Sequence, residues 1–486
     1  MSSVKKNFAY NSLYQIFSII VPLITTPYLS RVLGAEGVGI YAYAYSIAYY
    51  FTLFIKLGLN NYGNRTIAAI RDDMVSRSKA FWNMYTLQAV LGIFLTIAYI
   101  AYGAFLKDKD PVWIILSFFV ASGFLDITWF YYGMEEFKTV TIRDMSIKIL
   151  TVICIFIFVK DVSDVGKYAL IRSLGFLLSQ LLLWPLMINR ILWVRPTLGE
   201  MKRHIMPNLI LFVPTIAVSL YKTMDKIMLG KLSEEIEVGY YESCEKVIQV
   251  PMALIVALGN VMLPHMSSLY SKKGTDREIG IVLLRKSEHM VILVVSVITL
   301  GVMAVASEFV PLFYGSGFEK CVDLFYVLLP SCIFIGFANV IRTQYLIPNK
   351  MDKEFIISVL VGAILNLSAN IILIPRNQSL GAAIGTLMAE ISVCIVQIYY
   401  IRKKIPILKI AVECIPYLVI SILMFSIGLI MPISTEILEI KFIIKIILCG
   451  IFWISSIAIY WTGKYFFVLN KKKADFNLKE LLEKCL

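Results

Sequence analysis

Ten ionisable residues lie inside long apolar stretches of this 486-residue chain. Charge is costly there and usually marks a cavity or a buried partner. Lysine and arginine in such positions suit an anionic ligand, and carboxylates suit a proton or a cation. The ten are Lys56, Asp126, Arg172, Lys222, Asp225, Lys226, Glu242, Glu245, Lys246 and Glu390.

Six of these ten residues fall in two consecutive stretches. Lys222, Asp225 and Lys226 are spaced i, i+3, i+4, which places them on one face of a helix. Residues 242–246 repeat that spacing with the signs reversed. Two facing stripes of opposite charge either neutralise each other as a structural ion-pair network or line a hydrated cavity with surplus cations.

Lys56 and Arg172 have no acidic residue nearby in their own stretches. Each either lines a cavity or extends its charge to the membrane surface. Surplus cations in a cavity would suit a diphosphate head group. The predicted cationic cavity residues are Lys56, Arg172, Lys222, Lys226 and Lys246. The candidates for binding a coupling proton or cation are Asp225, Glu390 and Asp126, and the predicted ion-pair partners in the cavity are Glu242 and Glu245.

These residues must be positioned by membrane-spanning helices. Hydrophobic residues make up 59% of the chain, charged residues 16%, and the mean hydropathy is +0.77. A soluble domain has about 25% charged residues, and a spanning helix needs about 20 apolar residues. We predict an all-α integral membrane protein with about fourteen transmembrane helices, over approximately 8–30, 38–60, 81–106, 112–134, 142–159, 165–189, 205–230, 237–264, 287–313, 321–346, 355–375, 380–401, 411–431 and 441–467.

The connecting segments alternate in positive charge. The N-terminus, every second loop and the C-terminal tail together hold 31 Lys and Arg, whereas the loops on the opposite side hold nine. Positive charge is retained in the cytoplasm. The pattern therefore predicts a multi-pass protein of the cytoplasmic membrane with both termini in the cytoplasm.

The sequence carries no signature of an enzyme or a cofactor site. The three histidines lie far apart, the eight cysteines have no paired spacing, and no Gly-x4-Gly-Lys-Ser/Thr motif occurs. We therefore expect no catalysis, no metal site, no cofactor and no ATP hydrolysis by this chain. The net charge of +13 is explained by topology and not by nucleic-acid binding.

A sequence repeat relates the two halves of the chain. Val21-Pro22, Leu33-Gly34 and Val38-Gly39-Ile-Tyr41 recur as Val213-Pro214, Leu229-Gly230 and Val238-Gly239-Tyr-Tyr241. Six helices separate the copies, so both halves enter the membrane in the same orientation, unless the match arises by chance. Parallel repeats of this kind form two bundles with a site between them. We predict an N-terminal lobe over 1–190 (helices 1–6), a cytoplasmic linker over 191–204, a C-terminal lobe over 205–404 (helices 7–12), appended helices 13 and 14 over 405–467, and a cytoplasmic tail over 468–486.

Several segments together resemble one family. They are Pro27-Tyr-Leu-Ser-Arg-Val-Leu-Gly-Ala-Glu-Gly-Val-Gly-Ile-Tyr41, Tyr314-Gly-Ser-Gly-Phe318, Gln344-Tyr-Leu-Ile-Pro348, Gly381-Ala-Ala-Ile-Gly-Thr386 and Ala389-Glu390. The chain resembles bacterial polysaccharide flippases of the Wzx type, in the multidrug/oligosaccharidyl-lipid/polysaccharide exporter superfamily. The resemblance implies two six-helix lobes forming a V around a cationic cavity. Many such flippases have twelve spans, which leaves the role of the extra pair here open.

The resemblance also implies a function. The protein would move undecaprenyl-diphosphate-linked oligosaccharide from the inner to the outer leaflet by alternating access, for cell-surface polysaccharide biosynthesis. Its partners would be this lipid-linked substrate, membrane lipid, and polysaccharide polymerase and glycosyltransferases. Two alternatives stay open: a cation-coupled multidrug exporter of the same superfamily, and a non-transporting membrane scaffold for cell-wall assembly.

Overall fold

The computed structural model describes residues 2–106, 111–271, 275–431, 433 and 437–485. Side chains are described between residues 17 and 465, except at 106–110, 214, 221–222, 272–276, 432 and 434–436. The described residues contain no β-strand. The α-helices are α1 (Ser2–Lys56), α2 (Leu59–Ala69), α3 (Met74–Leu106), α4 (Pro111–Ile115), α5 (Ser117–Leu125), α6 (Thr128–Gly133), α7 (Phe137–Phe158), α8 (Val165–Leu181), α9 (Leu183–Met187), α10 (Leu198–Leu232), α11 (Glu235–Ser271), α12 (Thr275–Ala304), α13 (Ala306–Tyr314), α14 (Lys320–Leu328), α15 (Ser331–Ile341), α16 (Asp352–Ile401), α17 (Ile407–Ile430) and α18 (Leu438–Cys485), with a 3₁₀ turn at Val162–Asp164 and a π-helical turn at Arg342–Leu346.

Each of the fourteen predicted stretches is helical, so the all-α membrane fold predicted from the sequence is confirmed. In the described part of the chain, ten helical segments are long and apolar enough to cross a membrane. The longest two, α1 and α16, each contain a break that divides them into two consecutive spans, at Gly34 (φ 67°) and at Gln378 (φ 51°). Helices α7 and α10 are also long enough to cross a membrane, and both contain several charged residues. We assign to them the two predicted spans that those segments do not include.

The two ends of the bundle are marked by tight turns with positive φ. Gly34, Gly315 and Gln378 lie at one end, called here the Gly34 end. Leu57 and its neighbour Gly58 lie at the other, called here the Gly58 end. Glu135 and Lys350 also turn at the Gly58 end. The chain therefore reverses direction at the positions where the sequence predicts short loops.

The two copies of the repeated motif pack against each other. A Cβ added to Gly39 would lie 1.8 Å from the carbonyl oxygen of Glu235, and one added to Gly239 would lie 1.8 Å from that of Ala35. Only glycine allows two helices to approach this closely. The second span and α11 therefore cross at Gly39 and Gly239, on the Gly34 side of the bundle.

Hydrogen bonds from α1 to α13 add to this closure. The Arg31 guanidinium donates to the carbonyl oxygens of Leu312 (2.6 Å) and Phe313 (3.1 Å), and the Ser30 hydroxyl donates to that of Tyr314 (2.8 Å). These carbonyls end α13, where a cation is favoured by the helix dipole. The Gly34 end is thus closed between the first and ninth predicted spans.

Helices α17 and α18 attach to one side of the bundle. Helix α17 packs on α12, and α18 packs on α17 and α13. The buried carboxylate of Glu308 on α13 pairs with Lys445 (2.7 Å) and Lys441 (3.3 Å) of α18. A buried ion pair is therefore one of the contacts that fixes the last span to the rest of the protein.

Candidate functional site

A polar cavity of about 470 Å³ lies among α1, α5, α7 and α8. Three cations line it, and they come from different helices: Lys56 from α1, Lys148 from α7 and Arg172 from α8. Asp144 is the carboxylate in its lining. The rest of the wall combines aromatic rings with small hydroxyl and amide side chains, including those of Tyr45, Tyr49, Phe119, Ser122, Phe176 and Gln180.

Arg172 lies at the junction of three cavities. It also lines a cavity of about 80 Å³ that reaches Glu242 and Lys246 of α11, and one of about 150 Å³ that reaches the first span. Its guanidinium lies 5.2 Å from the centre of the Phe176 ring, a cation–π arrangement. Among the described residues, no carboxylate lies within ion-pair distance of Arg172. Its charge is therefore available to an anion in the cavity.

Lys56 has a partner that lies 70 positions away in the sequence. Its ammonium group forms an ion pair with the buried carboxylate of Asp126. Asp126 also accepts a hydrogen bond from the Thr128 backbone (2.9 Å), and its carbonyl oxygen accepts one from Gln88 (2.9 Å). Lys56 is thus held in the cavity wall, with its charge partly balanced. Asp126, a predicted coupling residue, serves as that counter-ion in this structure.

Lys148 lines the cavity although it is not among the ten ionisable residues singled out from the sequence. The structure places it inside α7, where its ammonium group donates to the Ser18 hydroxyl (2.8 Å). Asp144, one turn earlier, pairs with Arg143 (3.2 Å) and accepts a hydrogen bond from Ser179 (3.1 Å). The i, i+4 spacing of Asp144 and Lys148 in an apolar run was the available signal, because it resembles the charged stripes found elsewhere.

The two charged stripes on α10 and α11 meet as an ion-pair network. The Lys226 ammonium bonds to Glu242 (2.9 Å) and Glu245 (2.8 Å), and Lys246 lies 3.5 Å from Glu242. Two cations and two carboxylates balance each other here. The side chain of Lys222 lies outside the described residues. The structure thus shows the pairing alternative for Lys226, whereas Lys246 also lines a cavity with Arg172.

Asp225 lies in a separate buried cluster of oxygen atoms between α10, α11 and α16. Its carboxylate accepts hydrogen bonds from Tyr241 (2.7 Å), Thr386 (2.6 Å) and Asn370 (2.6 Å). Among the described residues, the Asn370 side-chain oxygen has no hydrogen-bond partner. Carboxylate, hydroxyl and amide oxygens are the ligands that hard cations prefer. Glu390, the other predicted coupling residue in this half, is buried on α16.

An apolar groove lies on the other side of the last turns of α1. It measures about 540 Å³ and runs between α1, α3 and α10. Phe54 and Ile55 contribute to it from α1, next in sequence to Lys56 of the polar cavity. The last turns of α1 therefore separate a charged compartment from a hydrocarbon-like one.

Comparison with known proteins gives a family match and two curated relatives. Residues 4–270 match the family model described as polysaccharide biosynthesis protein. An Escherichia coli (strain K12) protein named "Putative O-antigen transporter" is 25% identical over 408 residues, covering 83% of this chain and 97% of that protein. A Shigella dysenteriae protein of the same name is 22% identical over 403 residues, covering 80% of this chain and 97% of its own length.

Solved structures show the same fold at low sequence identity. The lipid II flippase MurJ in an inward closed conformation matches with a TM-score of 0.72 and 15% identity, covering 93% of this chain and 99% of that one. An inward-facing multidrug resistance transporter of the MATE family, in the MOP superfamily, matches with a TM-score of 0.56 and 14% identity, covering 80% and 99%. The fold predicted by resemblance is thus confirmed.

Proposed function

Because the chain belongs to the polysaccharide biosynthesis protein family, we propose that it is a flippase for polyprenyl-diphosphate-linked oligosaccharides. It would move them from the inner to the outer leaflet of a bacterial cytoplasmic membrane for cell-surface polysaccharide synthesis. The relatives named as O-antigen transporters support a saccharide-bearing substrate. The protein makes and breaks no covalent bond in this role.

The observation that carries the proposal is the pairing of a cationic cavity with an apolar groove. An amphiphile with an anionic head and a hydrocarbon tail needs both environments within one molecular length. Lys56 faces the cavity and Phe54 faces the groove, two residues apart on α1. The head group would occupy the cavity while the tail lies along the groove and in the surrounding lipid.

The lining of the cavity suits the head group better than it suits a drug cation. Lys56, Lys148 and Arg172 face one carboxylate, that of Asp144, so the cavity is net positive. Charge-assisted hydrogen bonds from Lys and Arg to phosphate are strong in a dry site. Tyrosine rings and hydroxyl groups beside them, such as Tyr45 and Ser122, can pack against and hydrogen-bond to sugars. A multidrug exporter for cations would need the opposite balance, and a scaffold would need no cavity.

Closure at the Gly34 end supports alternating access. The Gly39–Gly239 crossing and the Arg31 hydrogen bonds join the two halves of the chain at that end. Opening there would require these contacts to separate while contacts at the Gly58 end form or tighten. The proposed lobes, 1–190 and 205–404, would then move against each other about the cavity.

Orientation can be tested with impermeant thiol reagents on intact cells. Loop charge assigns the Gly34 end to the outside. We expect cysteines introduced at the exposed positions 316–317 and 375–377 to be labelled, and cysteines introduced near positions 272 and 403 to react only after the membrane is permeabilised. The opposite pattern would reverse the proposed orientation and the direction of transport inferred from it.

We also assign the coupling ion to Asp225. The oxygen cluster around its carboxylate could exchange its hydrogen bonds for a sodium ion or a proton, and α16 contributes to the cluster from both of its halves. Ion occupancy would then bias how α10 and α16 pack. Transport by Asp225→Asn should lose the parent's response to an imposed sodium or proton gradient, and an unchanged response would remove Asp225 from this role.

Deletion of the gene in its own host tests the function directly. We expect loss of the surface polysaccharide and accumulation of its lipid-linked repeat unit, both restored by the parent chain. The susceptibility of the deletion strain and its parent to cationic drugs would be measured alongside. Increased susceptibility to cationic drugs with normal surface polysaccharide would favour the exporter alternative and contradict the proposal.

A further inference from the structure

Glu288 is a buried carboxyl group that does not line the polar cavity. It is the fourteenth residue of α12 and has no exposed surface. Among the described residues, neither of its carboxylate oxygens has a hydrogen-bond partner. The predicted span 287–313 places it at a membrane edge, whereas α12 extends about three turns beyond it towards the Gly58 end.

A second buried polar side chain without partners, that of Gln344, lies in a segment that packs against α12. Gly336 of α15 contacts Val291 and Val295 of α12, and the turn that carries Gln344, eight residues further along, also contacts α12. Both amide atoms of Gln344 lack hydrogen-bond partners in the described part of the chain, and the residue has no exposed surface. It belongs to the π-helical turn Arg342–Leu346. Such turns are frequent at functional sites.

The twelfth span contributes a third such group. Gln397 of α16 donates to the Ser358 hydroxyl (3.2 Å), and its side-chain oxygen has no partner among the described residues. Cys394, one turn earlier on α16, lies within electrostatic range of Glu288. The π-helical turn that carries Gln344 packs on α12 and on α16, so buried polar atoms that lack a described partner lie on three segments of the same half of the protein. Native proteins rarely leave buried polar atoms unpaired without a functional reason.

The charged groups near α12 do not neutralise Glu288. Arg285 and His289 of α12 instead bind Glu413 of α17, at 2.5 Å and 3.4 Å. No Lys or Arg among the described residues lies within ion-pair distance of Glu288. The other titratable or charged groups on this part of α12 and on the elements around it include the exposed Lys286 of α12, Cys414 and Tyr417 of α17, Cys394 and Glu390 of α16, Cys332 of α15, Arg342 and Tyr345 of the π-helical turn, Tyr270 of α11 and Lys464 of α18.

We propose that Glu288, buried on α12 without a counter-ion or a hydrogen-bond donor among the described residues, is a proton-binding site distinct from the Asp225 cluster. A carboxylate without a counter-ion in this environment is far less stable than the carboxylic acid. The site therefore holds a proton in the conformation closed at the Gly34 end. When the helices around it separate and water enters, the O–H bond breaks, the proton passes to water and a carboxylate remains. Its part in transport rests on the proposed flippase function.

Infrared spectroscopy of the purified full chain tests the proton without any transport measurement. We expect the parent spectrum to contain a protonated-carboxyl component from Glu288 that is lost in Glu288→Gln and retained in Glu288→Asp, whatever component Asp225 contributes. Glu413→Gln is the matched control, because Glu413 lies on the same helix pair but is ion-paired. The Glu413→Gln variant should retain the Glu288 component. A protonated-carboxyl band that survives unchanged in Glu288→Gln would overturn the proposal.

Transport in proteoliposomes with an imposed proton gradient tests the role of that proton. Glu288→Gln resembles the protonated residue in shape, so it should fold and move substrate without a gradient, but it should lose the parent's acceleration by the gradient. An acceleration equal to that of the parent would overturn the proposal and leave Glu288 as a structural group. If the parent moves no substrate at all, the proposed function fails, while the infrared result still decides whether the proton is bound.

Discussion

Replacing Arg172 by glutamine should reduce export of lipid-linked oligosaccharide by about ten- to 150-fold, since one charge-assisted hydrogen bond is worth about 1.5–3 kcal/mol. Arg172 lies at the junction of three cavities and has no carboxylate partner among the described residues. Its loss therefore leaves no buried charge unpaired, and the variant should fold. Surface polysaccharide is the readout, with the amount of protein in the membrane measured alongside.

Lys167→Gln is the matched control for Arg172→Gln. Lys167 lies on the same helix, is 63% exposed and pairs with Asp164 outside the cavity. Export by the Lys167→Gln variant should therefore equal export by the parent. Lys148→Gln should resemble Arg172→Gln. Normal export by single and combined glutamine variants at Lys56, Lys148 and Arg172 would refute the cationic cavity.

Replacing Gly39 by alanine should open the Gly34 end of the protein. The added Cβ would lie 1.8 Å from a backbone oxygen of α11, and no side-chain movement can relieve that contact. Overpacking of this kind costs about 1–3 kcal/mol. That cost lowers the equilibrium constant for the closed conformation by about five- to 150-fold. A cysteine at Ala42, which is buried behind the crossing, should then react with an impermeant reagent added from outside.

Gly239→Ala should have the same effect, because Gly239 makes the equivalent contact with the first hairpin. Gly450→Ala is the control, since a Cβ there meets no atom within 4 Å. Equal reactivity of the Ala42 cysteine in the parent and in both crossing variants would contradict the assignment of this crossing as the closed gate.

Much of the fold could be predicted because spans are defined by local sequence. Apolar length predicted the fourteen stretches that lie in helices of the described residues, and alternation of loop charge gave the proposed orientation. The repeated Val-Gly-x-Tyr motif pointed to two related halves. It did not predict that Gly39 and Gly239 touch, because the crossing depends on how two helices 200 residues apart pack.

The pairing of buried charges could not be predicted from the sequence for the same reason. Lys56 and Asp126 belong to different spans, so their ion pair forms only in the folded bundle. Glu288 was missed because it lies at the end of the predicted span 287–313, where charge normally contacts water, and Lys148 because it lies in the charged first half of the predicted span 142–159. The helices that carry them extend further than the apolar runs, which brings both side chains into the protein interior. The cavity and coupling roles given to these residues stay predictions.

Reconstitution of the purified chain tests the central claim most directly. Liposomes would carry a polyprenyl-diphosphate oligosaccharide in both leaflets, and a non-penetrating glycosidase would cleave only the exposed half. With the parent protein, cleavage should proceed past that half towards completion, and with Arg172→Gln it should do so at least about tenfold more slowly. Cleavage that stops at the exposed half, as in protein-free liposomes, would contradict the claim that this chain moves lipid-linked oligosaccharide across the membrane.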